Sequence, residues 1–299
     1  SKVVDEKGQP MVVYHGTTQD FDVFDITKTE KEADLGGGFY FTNSTSDVNR
    51  NYARIEGADL QNKIERLAER DPLYGEDING DRSIREKIEK ELIANQGAIL
   101  PVYLSLQNPV DLSSRGTYID PPYTYDEEYD EYIDDEESIG FKIIEAIPTA
   151  SRVGWDVDWA NIQSKVNELL MDGVYAKDLI ANMKDMDEIA YMEGENGDLV
   201  GNQFISDVFK KAGFDGFIIP DADQRFNNMG MEEGTVHYIA FEPNQVKGEF
   251  NIKPTKEDPR IMFQVRKKED LELPNIPIEK KKGLLSLAKH LTARAQEIS

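Results

Sequence analysis

The sequence predicts an α+β fold. Short β-favouring runs lie at 9–14, 39–42, 99–107, 214–219 and 236–241, and segments with helical spacing stand between them. No regular βαβ alternation links these runs, which argues against a doubly wound parallel sheet. Residues 9–14 (QPMVVY) read as a strand that stops at a turn, His15-Gly16-Thr17-Thr18. Phe21 and Phe24 follow in an aromatic loop, and Gly36-Gly37-Gly38 lead into the strand Phe39-Tyr40-Phe41-Thr42. Glycines here let the backbone come close to a neighbour. Residues 46–52 begin a helix, with Thr45 or Ser46 as N-cap and Asp47 set to complement the helix dipole.

Residues 60–70 and 83–94 have helical spacing and flank the turn-rich stretch 77–81, so 57–97 reads as a helical insertion. The strand that starts at 99, in the stretch 99–112, ends at Asn108-Pro109, which is turn chemistry. Five tyrosines and ten acidic residues between Tyr118 and Ser138 mark a solvated surface excursion, or a loop that gates substrate or binds a partner, within an acidic insertion at 113–150. Residues 158–172 and 202–212 read as helices, the second stopping at Gly213 before Phe214-Asp215-Gly216-Phe217-Ile218-Ile219. Residues 236–241 form the last strand, closed by Glu242-Pro243-Asn244. Past Lys247 four prolines spaced through charged sequence precede a basic amphipathic stretch at 284–298. The expected division is a catalytic-type domain at 1–247, then a linker and C-terminal helix at 248–299.

Composition narrows the function classes. The 299 residues contain no cysteine and three histidines (His15, His237, His290), which disfavours disulfides, thiolate sites and a histidine-built metal centre; no metal is expected. The formal charge is −24, and positions 248–299 hold 11 basic against 8 acidic residues, so positions 1–247 carry a net −27. Such an acidic protein repels a phosphate backbone, and nucleic acid is a disfavoured partner. No stretch has the length and apolarity of a membrane span, and the beginning of the chain lacks a secretory layout. A cytoplasmic location, in the producing cell or a target cell, is the expectation.

Five short motifs occur in order: Tyr14-His15-Gly16-Thr17, Gly38-Phe39-Tyr40-Phe41-Thr42, Asn51-Tyr52-Ala53, Gly213-Phe214-Asp215-Gly216, and 238–247 (YIAFEPNQVK). Together they resemble the ADP-ribosyltransferase modules of phage and mobile-element polyvalent proteins. Through their first two markers those modules are similar to the His-Tyr-Glu branch that includes diphtheria toxin and the poly(ADP-ribose) polymerases. The resemblance implies a split antiparallel β-sheet core and NAD as substrate. It further implies transfer of ADP-ribose, with release of nicotinamide, to a macromolecular acceptor, a protein above all, as in toxin-like effectors.

The same resemblance implies the site. His15 would hydrogen-bond the adenine-side ribose, the Gly16 backbone would meet the carboxamide, and Thr17 would lie beside them. Tyr40 would stack on the nicotinamide, with Tyr52 as a second stacking tyrosine and Asn49 at the carboxamide. The family's glutamate, at the start of the last strand, corresponds to His237 here, and an imidazole lacks a fixed negative charge. Glu233, or its neighbour Glu232, would supply the acid if the loop before that strand folds inward; Glu242 is a remoter candidate. Asp215 reads as a structural turn acid, and the triple glycine lacks the spacing of a phosphate loop. The rival implication is a catalytically weak NAD-pocket module that serves as an interaction domain in a larger protein.

Overall fold

The computed structural model describes residues 1–17, 21, 23–29, 33–53, 64–65, 67–69, 71–94, 98–150, 157–195, 197–226, 230–249, 251 and 259–261. Eleven strands are named among these residues: β1 (Val13–Thr17), β2 (Phe39–Thr42), β3 (Ala98–Leu104), β4 (Val110–Asp111), β5 (Tyr118–Ile119), β6 (Tyr123–Asp126), β7 (Glu131–Asp134), β8 (Val174–Tyr175), β9 (Gly216–Ile219), β10 (His237–Ala240) and β11 (Val246–Gly248). The helices are α1 (Thr45–Val48), α2 (Ile78–Ala94), α3 (Ile139–Ala146), α4 (Trp159–Leu170), α5 (Ala176–Lys184), α6 (Asp187–Ala190), α7 (Gly201–Lys211) and α8 (Ala222–Arg225), with a π-helical turn at Asn49–Ala53. The α+β expectation holds.

Seven strands pair in the order β11-β3-β1-β2-β10-β9-β4, antiparallel throughout except for β9 with β4. β1 matches β3 along its whole length, from Val13 opposite Val102 to Thr17 opposite Ala98. Against β2 it makes a single pair, Tyr14 with Thr42. The sheet is therefore joined in the middle at one point and splays beyond it, a β11-β3-β1 half beside a β2-β10-β9-β4 half.

Strand alternation sends side chains to two cores. Phe217, Ile219, Ile239 and Phe241 face a helical layer in which Ile162, Val166 and Leu170 of α4 repeat every fourth residue, and Phe204, Ile205, Val208 and Phe209 of α7 form one apolar stripe. Phe39, Phe41, Tyr238 and Ala240 face the other way, against Val3, Phe24, Val102, Leu104 and Ile261. Asp158 caps α4 by accepting from Asn161 N at 3.0 Å. Gly213, at φ 101°, ends the α7 segment and turns the chain into β9.

Several boundaries differ from the sequence reading. His15, Gly16 and Thr17 are strand rather than turn, because β3 supplies a ladder for them. The strand read to end at Asn108-Pro109 ends already at Leu104, and a second short strand follows the turn: Asp215 accepts from Gln107 N (2.6 Å) and Asn108 N (3.0 Å), bending the chain so that β4 reaches β9. Asp215 thus has the turn role read for it. The tyrosine-rich excursion is a β6-β7 hairpin rather than an irregular loop, with Tyr125 and Tyr132 in edge contact at 5.3 Å. Within the insertion at 113–150, Ile119, Ile143 and Ile147 are fully buried, so this segment helps to build the core. The α1 cap is Ser44, one residue earlier than expected, accepting from Asp47 N at 3.1 Å.

The compact unit runs over Ser1–Met262, beyond the boundary expected at 247. Gly248 donates its N–H to the Ile261 carbonyl at 2.8 Å, and the Ile261 side chain is buried. The helix expected at 284–298 lies outside the described residues, as does most of 60–70, of which the described residues are helical.

The glycine run before β2 approaches protein, not open space. A Cβ on Gly36, whose φ is 70°, would lie 2.6 Å from the Asn202 carbonyl oxygen at the start of α7. Gly37 N donates to Gln203 Oε1 at 2.6 Å, tying the same loop to the same helix. Gly36→Ala is therefore expected to cost about 1–3 kcal/mol of stability. A lowered denaturation midpoint in urea would show it, whereas Gly8→Ala, also at positive φ but in open space, should cost less.

Candidate active site

A depression opens where β1 and β2 part. Tyr14, His15 and Gly16 line one side, Tyr40, Phe41 and Thr42 the other, with Val48 and His237 completing it. Its volume is about 290 Å³ including the open mouth. The register explains the grouping: Thr42 faces Tyr14 across β1 and His237 across β10, so these three stand in one row on the same face of the sheet.

His15 bridges the gap that the missing ladder leaves. Its Nδ1 lies 2.8 Å from the Tyr40 carbonyl oxygen, which only accepts, so Nδ1 carries the proton and Nε2 the lone pair. Phe24 and Phe41 enclose the ring at 4.9 and 5.5 Å between centroids. Burial among these rings lowers the His15 pKa, outweighing the opposing effect of the Tyr40 carbonyl. The imidazole is held neutral and in one tautomer.

Tyr40 is fixed at its far end. Its hydroxyl donates to the Gly36 carbonyl at 2.8 Å and accepts from Leu35 N at 3.3 Å, so the ring is a rigid wall of the pocket. Burial raises its pKa, and the hydroxyl stays protonated. Asp34, adjoining the glycine loop, is clamped by Lys184 Nζ (2.7 Å) and Arg225 Nη2 (2.7 Å). Phe226, next to Arg225, stacks on His237 at 5.6 Å with an interplanar angle of 25°.

His237 is buried, and its Nε2 lies 2.8 Å from Asp47 Oδ2. The second Asp47 oxygen accepts from Asn51 Nδ2 at 2.7 Å, one helical turn further on. Burial is the largest influence on Asp47 and would raise its pKa. The hydrogen bonds from His237, Asn51 and Thr42, with the attraction to His237, overcome it and hold the carboxyl below its ordinary value.

The sequence-derived residues divide accordingly. His15, Gly16, Tyr40 and His237 converge on the depression. Thr17 lies at the end of β1, beside but not among the lining residues. Asn49 lies on the π-helical turn and its neighbour Val48 takes the place at the pocket wall; the Tyr52 side chain is outside the described residues. Glu232 and Glu233 are exposed, so the inward fold that would make Glu233 the acid is not adopted. The turn is pinned instead: Asn43 bonds both Gly234 O and Val236 N, and the Thr235 hydroxyl bonds Glu232 O. Glu242 is exposed and paired with Lys210.

Asp47 is what the sequence reading missed, having been assigned to the helix dipole. The signal was the Asp47/Asn51 spacing, four apart and so on one helical face. Among the described residues no cluster of three or more potential metal ligands occurs, and no helix is long and apolar enough to cross a membrane.

Comparison with known proteins adds one match. Residues 5–72 match the family described as ADP-ribosyltransferase in polyvalent proteins. That segment contains β1, β2, α1 and the π-helical turn, and with them the first three of the five motifs. The resemblance is borne out there, and the match supports the ADP-ribosyltransferase class, whose substrate is NAD. No curated protein and no solved structure matches the chain.

The partly buried His15, whose pKa is lowered, makes stability depend on pH. In the unfolded chain a histidine titrates near 6.5, whereas the folded form resists protonation, so below that pH the unfolded state takes up the extra proton. The contribution is fully present above about pH 6.5 and is lost as pH falls toward the lower folded value. Melting midpoints should therefore fall between about pH 7.5 and pH 5.5, and less steeply in His15→Gln. Equal slopes in the two proteins would refute the assignment.

Proposed function

We propose that this chain cleaves NAD and transfers ADP-ribose to a protein acceptor, releasing nicotinamide. The observation that carries the reading is the depression at the β1/β2 splay, lined by His15 and Tyr40 within the matched segment. The lining suits a flat aromatic amide: Tyr40 offers a ring locked at its hydroxyl, and Gly16, without a side chain, leaves its backbone accessible. His15 Nε2, which keeps its lone pair in the tautomer fixed by Tyr40, would accept from a ribose hydroxyl. In such a reaction the protein's task is to orient nicotinamide and ribose and to stabilise positive charge developing at the ribose carbon.

The acidic body favours a protein acceptor over a nucleic acid, and the cytoplasm of a host or target cell is the compartment where NAD and acceptor would meet. One observation favours a rival reading, a catalytically weak interaction module: among the described residues that line the depression, none is a carboxylate.

Nicotinamide release by the purified chain, with labelled NAD in a cell lysate, separates the two. Turnover with label moving to protein supports transfer, while NAD binding without release supports the interaction module. Neither binding nor release defeats both. Tyr40→Ala and His15→Ala are each expected to lower kcat/KM about tenfold or more, the equivalent of about 1.4 kcal/mol for one lost stacking or hydrogen-bond contact.

A further inference from the structure

We propose that Asp47 is a positioning residue for NAD cleavage, supplying through His237 the negative charge that the described residues lining the pocket lack. This rests on the reading of the depression as an NAD-cleaving site. When the bond between ribose C1′ and the nicotinamide nitrogen breaks, both bonding electrons leave with nicotinamide, and C1′ carries positive charge. A lone pair of the acceptor, or of water, then forms the new bond, and the displaced proton passes to solvent. A nearby fixed anion lowers the barrier, more so in a site of low dielectric.

Among the described residues, Asp47 is the carboxylate hydrogen-bonded to side chains that line the depression: His237 directly, and Thr42. Asp34, near Tyr40, is neutralised by two cations, Lys184 and Arg225. Asp47 instead has neutral donors, Asn51 and Thr42, besides the imidazole. Its side chain is fully buried and that of His237 is 5% exposed, so water screens the pair poorly. The Asp47 carboxylate reaches the pocket wall through a single hydrogen bond to His237. Burying a carboxylate without a lysine or arginine is costly. Apolar replacement of such a pair is often neutral or stabilising, so a buried carboxylate kept beside the pocket is a candidate for chemistry.

The test uses the full chain and steady-state nicotinamide release from NAD, with melting curves for every variant. Asp47→Asn, which keeps the shape and loses the charge, should lower kcat about 100-fold while KM changes less than about threefold. The double variant Asp47→Asn/His237→Glu returns a carboxylate to the pocket wall and should recover to within about tenfold of wild type. A merely structural Asp47 predicts no such rescue.

Wild-type turnover in a folded Asp47→Asn protein would overturn the proposal, as would a folded double variant no faster than Asp47→Asn. If Asp47→Asn fails to fold, the double variant decides: folded and active supports the proposal, folded and inactive overturns it, and a double variant that also fails to fold overturns it by showing the pair to be structural. A wild-type chain that releases no nicotinamide defeats the NAD-cleavage reading and this inference together, whereas wild-type activity with an indifferent Asp47→Asn defeats only the role of Asp47.

Discussion

Tyr14 and Thr42 form the single ladder pair between β1 and β2, and the site depends on the ladder ending there. A continuous ladder would draw Gly16 against Tyr40 and close the depression. The strands are held apart by two different anchors: β3 pairs with all of β1, and β10 pairs with all of β2. Backbone groups released at the splay still need partners. His15 meets one of these needs by donating Nδ1–H to the Tyr40 carbonyl, so the residue that seals the gap is also the one presented to it.

Around that opening the supports form a chain of contacts. The glycine loop packs on α7, Asp34 is clamped by cations from α5 and α8, and Phe226, which follows α8, stacks on His237. His237 holds Asp47, and Asp47 holds Asn51 on the π-helical turn. Each of these contacts ties one support of the opening to the next.

The pocket wall and its charge come from different places. Aromatic ring, amide backbone and imidazoles line the wall, and the carboxylate stands one hydrogen bond behind it. The exposed Glu232 and Glu233 face solvent because Asn43 and Thr235 tie their turn down. An imidazole at position 237 is therefore not by itself evidence of a site without an anion.

The sequence by itself determined the α+β class, the chain order of the core strands β1, β2, β9 and β10, and the helices α4 and α7, and it brought His15 and Tyr40 forward as candidate site residues. Each is a local signal: period-2 or period-3.6 patterning, a cap, a glycine before a strand, a short motif. Where the chain's neighbours set the outcome, local reading fell short. His15-Gly16-Thr17 is strand because β3 lies beside it, the tyrosine-rich excursion is a hairpin, and residues up to Ile261 join the first unit through Gly248. Only the tertiary structure decided which acid serves His237, since Asp47 and His237 are 190 residues apart in the chain and meet only when β10 lies beside β2 and α1 packs over their ends. Hydrogen-bond partners at that separation are set by sheet order, which no local pattern encodes.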